Sequence, residues 1–131
     1  MLDTSVASHV IRGDRPELTR RLTHHPIDEI VVSAVTEGEL LFGVARRGYP
    51  TALTERVRQF LLRARSLTWD SAVARVYAEV RAACQAKGVG LAAIDMMIAG
   101  HAVAVGAVLV TNDQAFGHVG APFVVEDWLG A

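Results

Sequence analysis

Short apolar runs alternate with longer amphipathic stretches along this chain, and that alternation restricts the fold more than any other feature. EIVVSAV (29–35), VGAVLVT (105–111) and PFVVED (122–127) are brief and β-branched, as strands are. Met1 and Leu2 form the stub of a fourth. Residues 4–12, 16–24, 36–47, 51–64, 70–87 and 93–105 have helical character, the fifth stretch starting at an Asp70 or Ser71 cap and stopping at Gly88. Strands separated by helices need crossovers, so the expected class is α/β, with a mostly parallel sheet covered on both faces. Such sheets bind ligands at the carboxyl ends of their strands.

At 131 residues the chain fits one domain with a real core, and 51% hydrophobic against 21% charged residues argues against disorder. No window approaches the roughly 18 apolar residues of a membrane span, and the start MLDTSVASHV lacks a signal peptide's basic and apolar regions, so the expected location is cytoplasmic. Cys84, the sole cysteine, excludes an internal disulfide and reads as a buried bland thiol. A net charge of -1 gives no global electrostatic case for nucleic acid, so any such surface is local.

Four acids carry the chemistry. Asp95 stands in the apolar stretch GLAAIDMMIAGHA (90–102), in the opening turn of its helix, with Ile94, Met96, Met97 and Ile98 leaving little polar face around it. A buried carboxylate must be exposed, paired or given a metal. Asp3, in MLDTSV, and Asp113, in VLVTNDQAF, each directly follow a strand and could equally be helix N-caps. Glu39 lies in Thr36-Glu37-Gly38-Glu39, which matches a capping box. Glu37 is roughly 200° away around the helix, and Glu39 is preferred because Leu40 and Gly43 share its inward face.

Asp3 and Asp113 sit past strand ends, while Glu39 and Asp95 are expected in first helical turns near the same edge. Carboxylates about 5 Å apart repel by roughly 3 kcal/mol per pair at an effective dielectric of about 20. Such a cluster either raises its pKa values or holds a cation. Oxygen ligands without histidine or cysteine select Mg²⁺ or Mn²⁺, which can activate water and stabilise charge in phosphodiester cleavage.

LDTSV, SAVTEGELLFGV, GLAAIDMMIAGHA, VLVTNDQAF and VEDWL, in this order and spacing, resemble the PIN-domain ribonucleases, specifically the toxins of VapBC toxin-antitoxin pairs. The similarity spans essentially the whole chain and implies a single PIN domain over 1–131, three-layered α/β/α with four to five strands. It implies a catalytic and metal-binding pocket of Asp3, Glu39, Asp95 and Asp113, with Thr4 and Thr111 supporting them, loaded with Mg²⁺ or Mn²⁺. It further implies endonucleolytic cleavage of structured RNA such as a tRNA or rRNA loop, a homodimer, and a VapB-type antitoxin partner. LLFGV (40–44) and Tyr49-Pro50 are candidates for the antitoxin contact, and Arg12, Arg46 and Arg47 for holding RNA. Departures are Ser5 where asparagine is common, Gly38 just before Glu39, and only two residues ahead of Asp3.

The competing readings are weaker. Gly88-Val89-Gly90 opens a dinucleotide-like string, but a helix rather than a strand leads into it. His24, His25, His101 and His118 have no metal-ligand spacing and read as surface or packing residues. A phospho-acceptor receiver domain needs a lysine beside its aspartate, and the sole Lys87 ends a helix. A catalytically weak PIN-like binding module would be suggested by loss of an acid, and all four are present. Asp127 in VEDWL reads as structural.

Overall fold

Five parallel segments form the sheet, and the chain's second residue lies at its centre. The computed structural model describes residues 1–129. Strands β1 (Val31–Ser33) and β2 (Arg65–Leu67) pair in parallel, as do β3 (Leu109–Val110) and β4 (Val125–Glu126). Leu2 bridges β1 and β3, in parallel with Val32 on one side and Val110 on the other. The order is therefore β2, β1, Leu2, β3, β4. Leu2 N donates to Val31 O at 2.9 Å, Asp3 N donates to Val110 O at 3.0 Å, and Val110 N donates to Met1 O at 2.8 Å. The pairing of Met1 and Leu2 sets Asp3 at the end of this central segment.

Alternation along each segment separates two cores, because successive side chains of a strand point to opposite faces. Leu2, Val32 and Val110 join a cluster with Val6, Leu40, Val44 and Phe60. Met1, Val31 and Leu109 join the other, with Cys84, Ile98, Ala99 and Phe116. Helices α1 (Thr4–Arg12), α2 (Pro16–Leu22), α3 (Ala34–Arg46) and α4 (Thr51–Arg63) cover the first face; α5 (Ser71–Ala86) and α6 (Ala93–Val105) cover the second. This is the expected three-layer α/β/α arrangement, with Cys84 buried as predicted.

Three boundaries differ from the expectation. β2 falls in Arg-Ser-Leu, which has no β-branched run and directly follows the expected helical stretch 51–64, so only its pairing with β1 reveals it. The strands are two or three residues long, far shorter than the apolar runs that contain them, because neighbouring residues of those runs complete helices or turns. Helix α3 starts at Ala34 rather than 36, because Ser33 at the end of β1 accepts from Val35 N at 3.1 Å and caps it. Asp70 caps α5 as expected, accepting from Val73 N at 3.0 Å.

The α5/α6 crossing depends on Gly100. A Cβ there would stand 2.8 Å from Tyr77 Cα, so only glycine permits this approach. At the other end of the chain, His25 stacks on Trp128 with centroids 4.8 Å apart, and Asp127 Oδ1 accepts from Leu129 N at 2.8 Å, a structural turn. Among the described residues no helix is long and apolar enough to cross a membrane.

Candidate functional site

Asp3 is almost wholly buried, and both its oxygens are used. Oδ1 accepts from Val6 N at 2.8 Å and caps α1, while Oδ2 accepts from the Thr111 hydroxyl. Thr111, just past β3, also accepts from Asp113 N at 3.0 Å through its Oγ1. A continuous run of hydrogen bonds therefore joins Asp113 to Asp3 across two neighbouring segments of the sheet. Burial pushes the Asp3 carboxyl above its ordinary range; the bonds from Thr111 and Val6 pull it back, and the Asp113 charge raises it again.

Asp113 is exposed and caps the short 3₁₀ turn Gln114–His118, accepting from Ala115 N at 3.0 Å. Asp3 and Asp113 are both N-caps, and both belong to the same run of hydrogen bonds.

Asp95 stands in the first turn of α6, which has no side-chain cap, so its carboxylate complements free amide dipoles there. It is half-buried. Its pKa is raised, first by burial and then by the charges of Asp113, Asp3 and Glu39. Asp95 is therefore the acid that feels all three others, and the structure brings the four predicted carboxylates into one electrostatic neighbourhood.

Glu39 corrects the expectation in its local role. The capping box does not form: with Ser33 as cap, Thr36 lies inside the first turn, fully buried, and Glu39 falls in the second turn. Thr36 Oγ1 instead shares a 3.1 Å hydrogen bond with Thr4 Oγ1, tying α3 to α1 beside Asp3. Three residues along the same face, Glu39 lines a cleft of about 210 Å³ with Thr4, Ser8, Arg12, Gly43 and Arg47. Glu37 points elsewhere, accepting from Ser66 Oγ at 3.0 Å beside β2. Sequence reasoning missed Thr36 as a supporting residue, although a threonine three residues before a candidate acid on one helix face was the available signal.

The arginines divide. Arg12 and Arg47 line the cleft at the far ends of α1 and α3, about 12–14 Å along each helix from Asp3 and Glu39 at about 1.5 Å per residue. Arg12 also donates through Nε to Asp14 at 3.0 Å. Arg46 is exposed and lies outside that lining. Beside the cleft, between α3 and α4, an apolar groove of about 780 Å³ is lined by Leu41, Phe42, Tyr49, Val57, Leu61 and Leu62. Phe42 is 60% and Tyr49 66% exposed.

The donor set is all oxygen. His24, His25 and His118 are exposed and His101 is buried in the core, consistent with their reading as surface or packing residues. Among the described residues no three His, Cys, Asp or Glu side chains converge to ligate one ion by themselves. Acids that interact without closing to a chelate suit a hard divalent cation that keeps several of its waters.

Residues 1–122 match the family model of the PIN domain. The chain belongs to the PIN-domain family. Within that family the PIN domain described here is 31% identical over 129 residues to the tRNA(fMet)-specific endonuclease VapC of Shigella flexneri, covering 98% of this chain and 96% of the relative. It is 32% identical over 120 residues to Toxin FitB of Neisseria gonorrhoeae, with 86% of each chain covered. Its fold superposes on the DNA-bound VapBC structure from Salmonella typhimurium with a TM-score of 0.90, 29% identity and 98% and 96% coverage.

Proposed function

We propose that this PIN domain is a divalent-cation-dependent endoribonuclease and the toxin of a VapBC-type toxin-antitoxin pair. The observation that carries this reading is Asp95, a half-buried carboxylate whose charge is opposed by Asp113, Asp3 and Glu39. Burial and neighbouring like charge raise the pKa values of Asp3 and Asp95, and a bound cation would neutralise that repulsion. Relatives named as VapC endonuclease and FitB toxin, at about a third identity across most of the chain, support the same reading.

Asp3, Glu39, Asp95 and Asp113 would hold Mg²⁺ or Mn²⁺, in part through water. When bound, the cation supplies positive charge at the scissile phosphate and lowers the pKa of an attacking water. The chain's own residues do the rest. Thr111 fixes one oxygen of Asp3 and the backbone of Asp113, so neither acid must reorganise as charge develops. The Thr4–Thr36 bond holds α1 against α3, and thereby Asp3 against Glu39. Arg12 and Arg47 line a cleft that runs to Glu39 and suits the phosphates of an RNA strand. Arg46, outside that cleft, can meet only a more peripheral part of the strand. A tRNA or rRNA loop is the proposed substrate class, since loops present bases that a protein can reach.

The apolar groove between α3 and α4 is the proposed antitoxin contact, where exposed Phe42 and Tyr49 await an apolar face. The complex would be built on a homodimer of the toxin acting in the cytoplasm. The test is induced expression of wild type beside Asp95→Asn in bacteria, with growth followed and total RNA mapped by primer extension. Growth arrest with discrete new 5′ ends in wild type alone is the expected result. Normal growth and intact RNA with soluble wild-type protein would overturn the reading in favour of a catalytically weak binding module.

A further inference from the structure

Of the five histidines only His101 is fully buried. Its Nδ1 lies 2.7 Å from Ser33 Oγ, a buried contact between residues 68 apart in sequence. Ser33 Oγ also accepts from Val35 N, and its hydroxyl still has the capacity to pair with Nδ1. The other ring nitrogen, Nε2, has no partner among the described residues. An aliphatic side chain would fill the same space without stranding a polar atom. What histidine provides, and leucine would not, is the bond to Ser33.

That bond joins two pieces of the site. Ser33 is the last residue of β1 and the cap of α3, which carries Thr36 and Glu39; His101 is on α6, six residues beyond Asp95. On the reading under Proposed function, which this inference deepens, we propose that His101 is a positioning residue: through Ser33 it sets the first turn of α3 relative to α6, and so Glu39 relative to Asp95. It touches neither the acids nor the substrate in this scheme.

Three variants test it: His101→Leu, which keeps volume but loses the bond; His101→Asn, whose amide reaches the place of Nδ1; and Ser33→Ala, which removes the bond from the other side. Amide exchange of Val35 and Thr36 in the metal-free protein, Mn²⁺ affinity by calorimetry and RNA cleavage are measured for each. His101→Leu should speed exchange, and it should weaken Mn²⁺ binding and lower kcat by about tenfold, the range for residues that orient metal-binding acids. KM for RNA should stay within about twofold, since no binding contact is lost. His101→Asn should recover most of each loss, and Ser33→Ala combined with His101→Leu should be no worse than Ser33→Ala alone. Wild-type Mn²⁺ affinity and kcat in His101→Leu, or equal behaviour of the Asn and Leu variants, would overturn the proposal. Should His101→Leu fail to fold, unchanged Mn²⁺ affinity in Ser33→Ala overturns it equally. A wild type that neither binds Mn²⁺ nor cuts RNA would sink the nuclease reading and this role in it, a result distinct from an active wild type matched by His101→Leu.

Discussion

Thr111 bridges two acids at once, donating its hydroxyl to Asp3 Oδ2 while accepting from the backbone of Asp113 at 3.0 Å. Thr111→Val preserves shape and removes both interactions. It leaves a buried carboxylate oxygen without its donor, a loss of about 1–3 kcal/mol in stability. Cleavage should fall by about tenfold or more, as for other residues that orient metal-binding groups. Thermal melts and single-turnover cleavage of one RNA by wild type and variant measure the two effects.

Asp3 and Asp95 both have raised pKa values in the folded chain, above the ordinary 3.8. Protonation therefore favours the folded, metal-free protein: this stabilisation is complete below the ordinary value and is lost as pH rises through the raised ones. Asp95→Asn should match wild type in Tm near pH 3 and exceed it at pH 7. Because Asp95 is only half-buried and partly screened, the gain is held to about 1 kcal/mol, or roughly 3–5 °C for a domain of this size. Melts of the metal-free proteins across that pH range, then with Mn²⁺ added, should show the advantage vanish on the metal's addition.

Gly100 packs so closely on Tyr77 that a methyl group cannot be accommodated without moving α5 or α6. Gly100→Ala should cost about 1–3 kcal/mol from overpacking, despite alanine's better helix propensity. Gly38, where a Cβ meets nothing within 4 Å, is the control: Gly38→Ala should stabilise by up to about 1 kcal/mol. Urea unfolding of both variants distinguishes the sites.

Arg47 lines the cleft from Glu39 without an ion pair among the described residues, whereas Arg12 is held by Asp14. Arg47→Ala should weaken RNA binding, raise KM with kcat nearly unchanged, and reduce the salt slope of binding by about 1. Arg46→Ala should change these quantities much less. Fluorescence anisotropy with a labelled RNA across a salt series reads the slope directly.

Asp3, Asp113 and Asp95 were legible as candidates because each follows a pattern that chemistry and chain geometry share, a carboxylate past a strand end or one stranded in an apolar helix, whereas Glu39 was separated from Glu37 only by the helix face it shares with Leu40 and Gly43. α1 and α6 were bounded as expected, since Gly13 and Gly106 end them in left-handed conformations that glycine adopts freely. The start of α3 was misjudged, because Thr36-Glu37-Gly38-Glu39 satisfies a capping box locally while Ser33, three residues earlier, captures the free amide of Val35. β2 was invisible, because Arg65–Leu67 has no strand pattern of its own and is specified by its neighbour β1. His101 was read as a packing histidine, since its partner Ser33 is 68 residues away and only the folded chain brings them together.

Cleavage by the purified PIN domain with divalent cations controlled tests the central claim most directly. Wild type stripped with chelator should leave RNA intact, recover on addition of Mg²⁺ or Mn²⁺ and produce defined 5′ ends. Asp95→Asn, folded and at least as stable without metal, should cut at no more than about a hundredth of that rate under any metal concentration. Cation-independent cleavage by wild type, or wild-type cleavage by Asp95→Asn, would contradict the account.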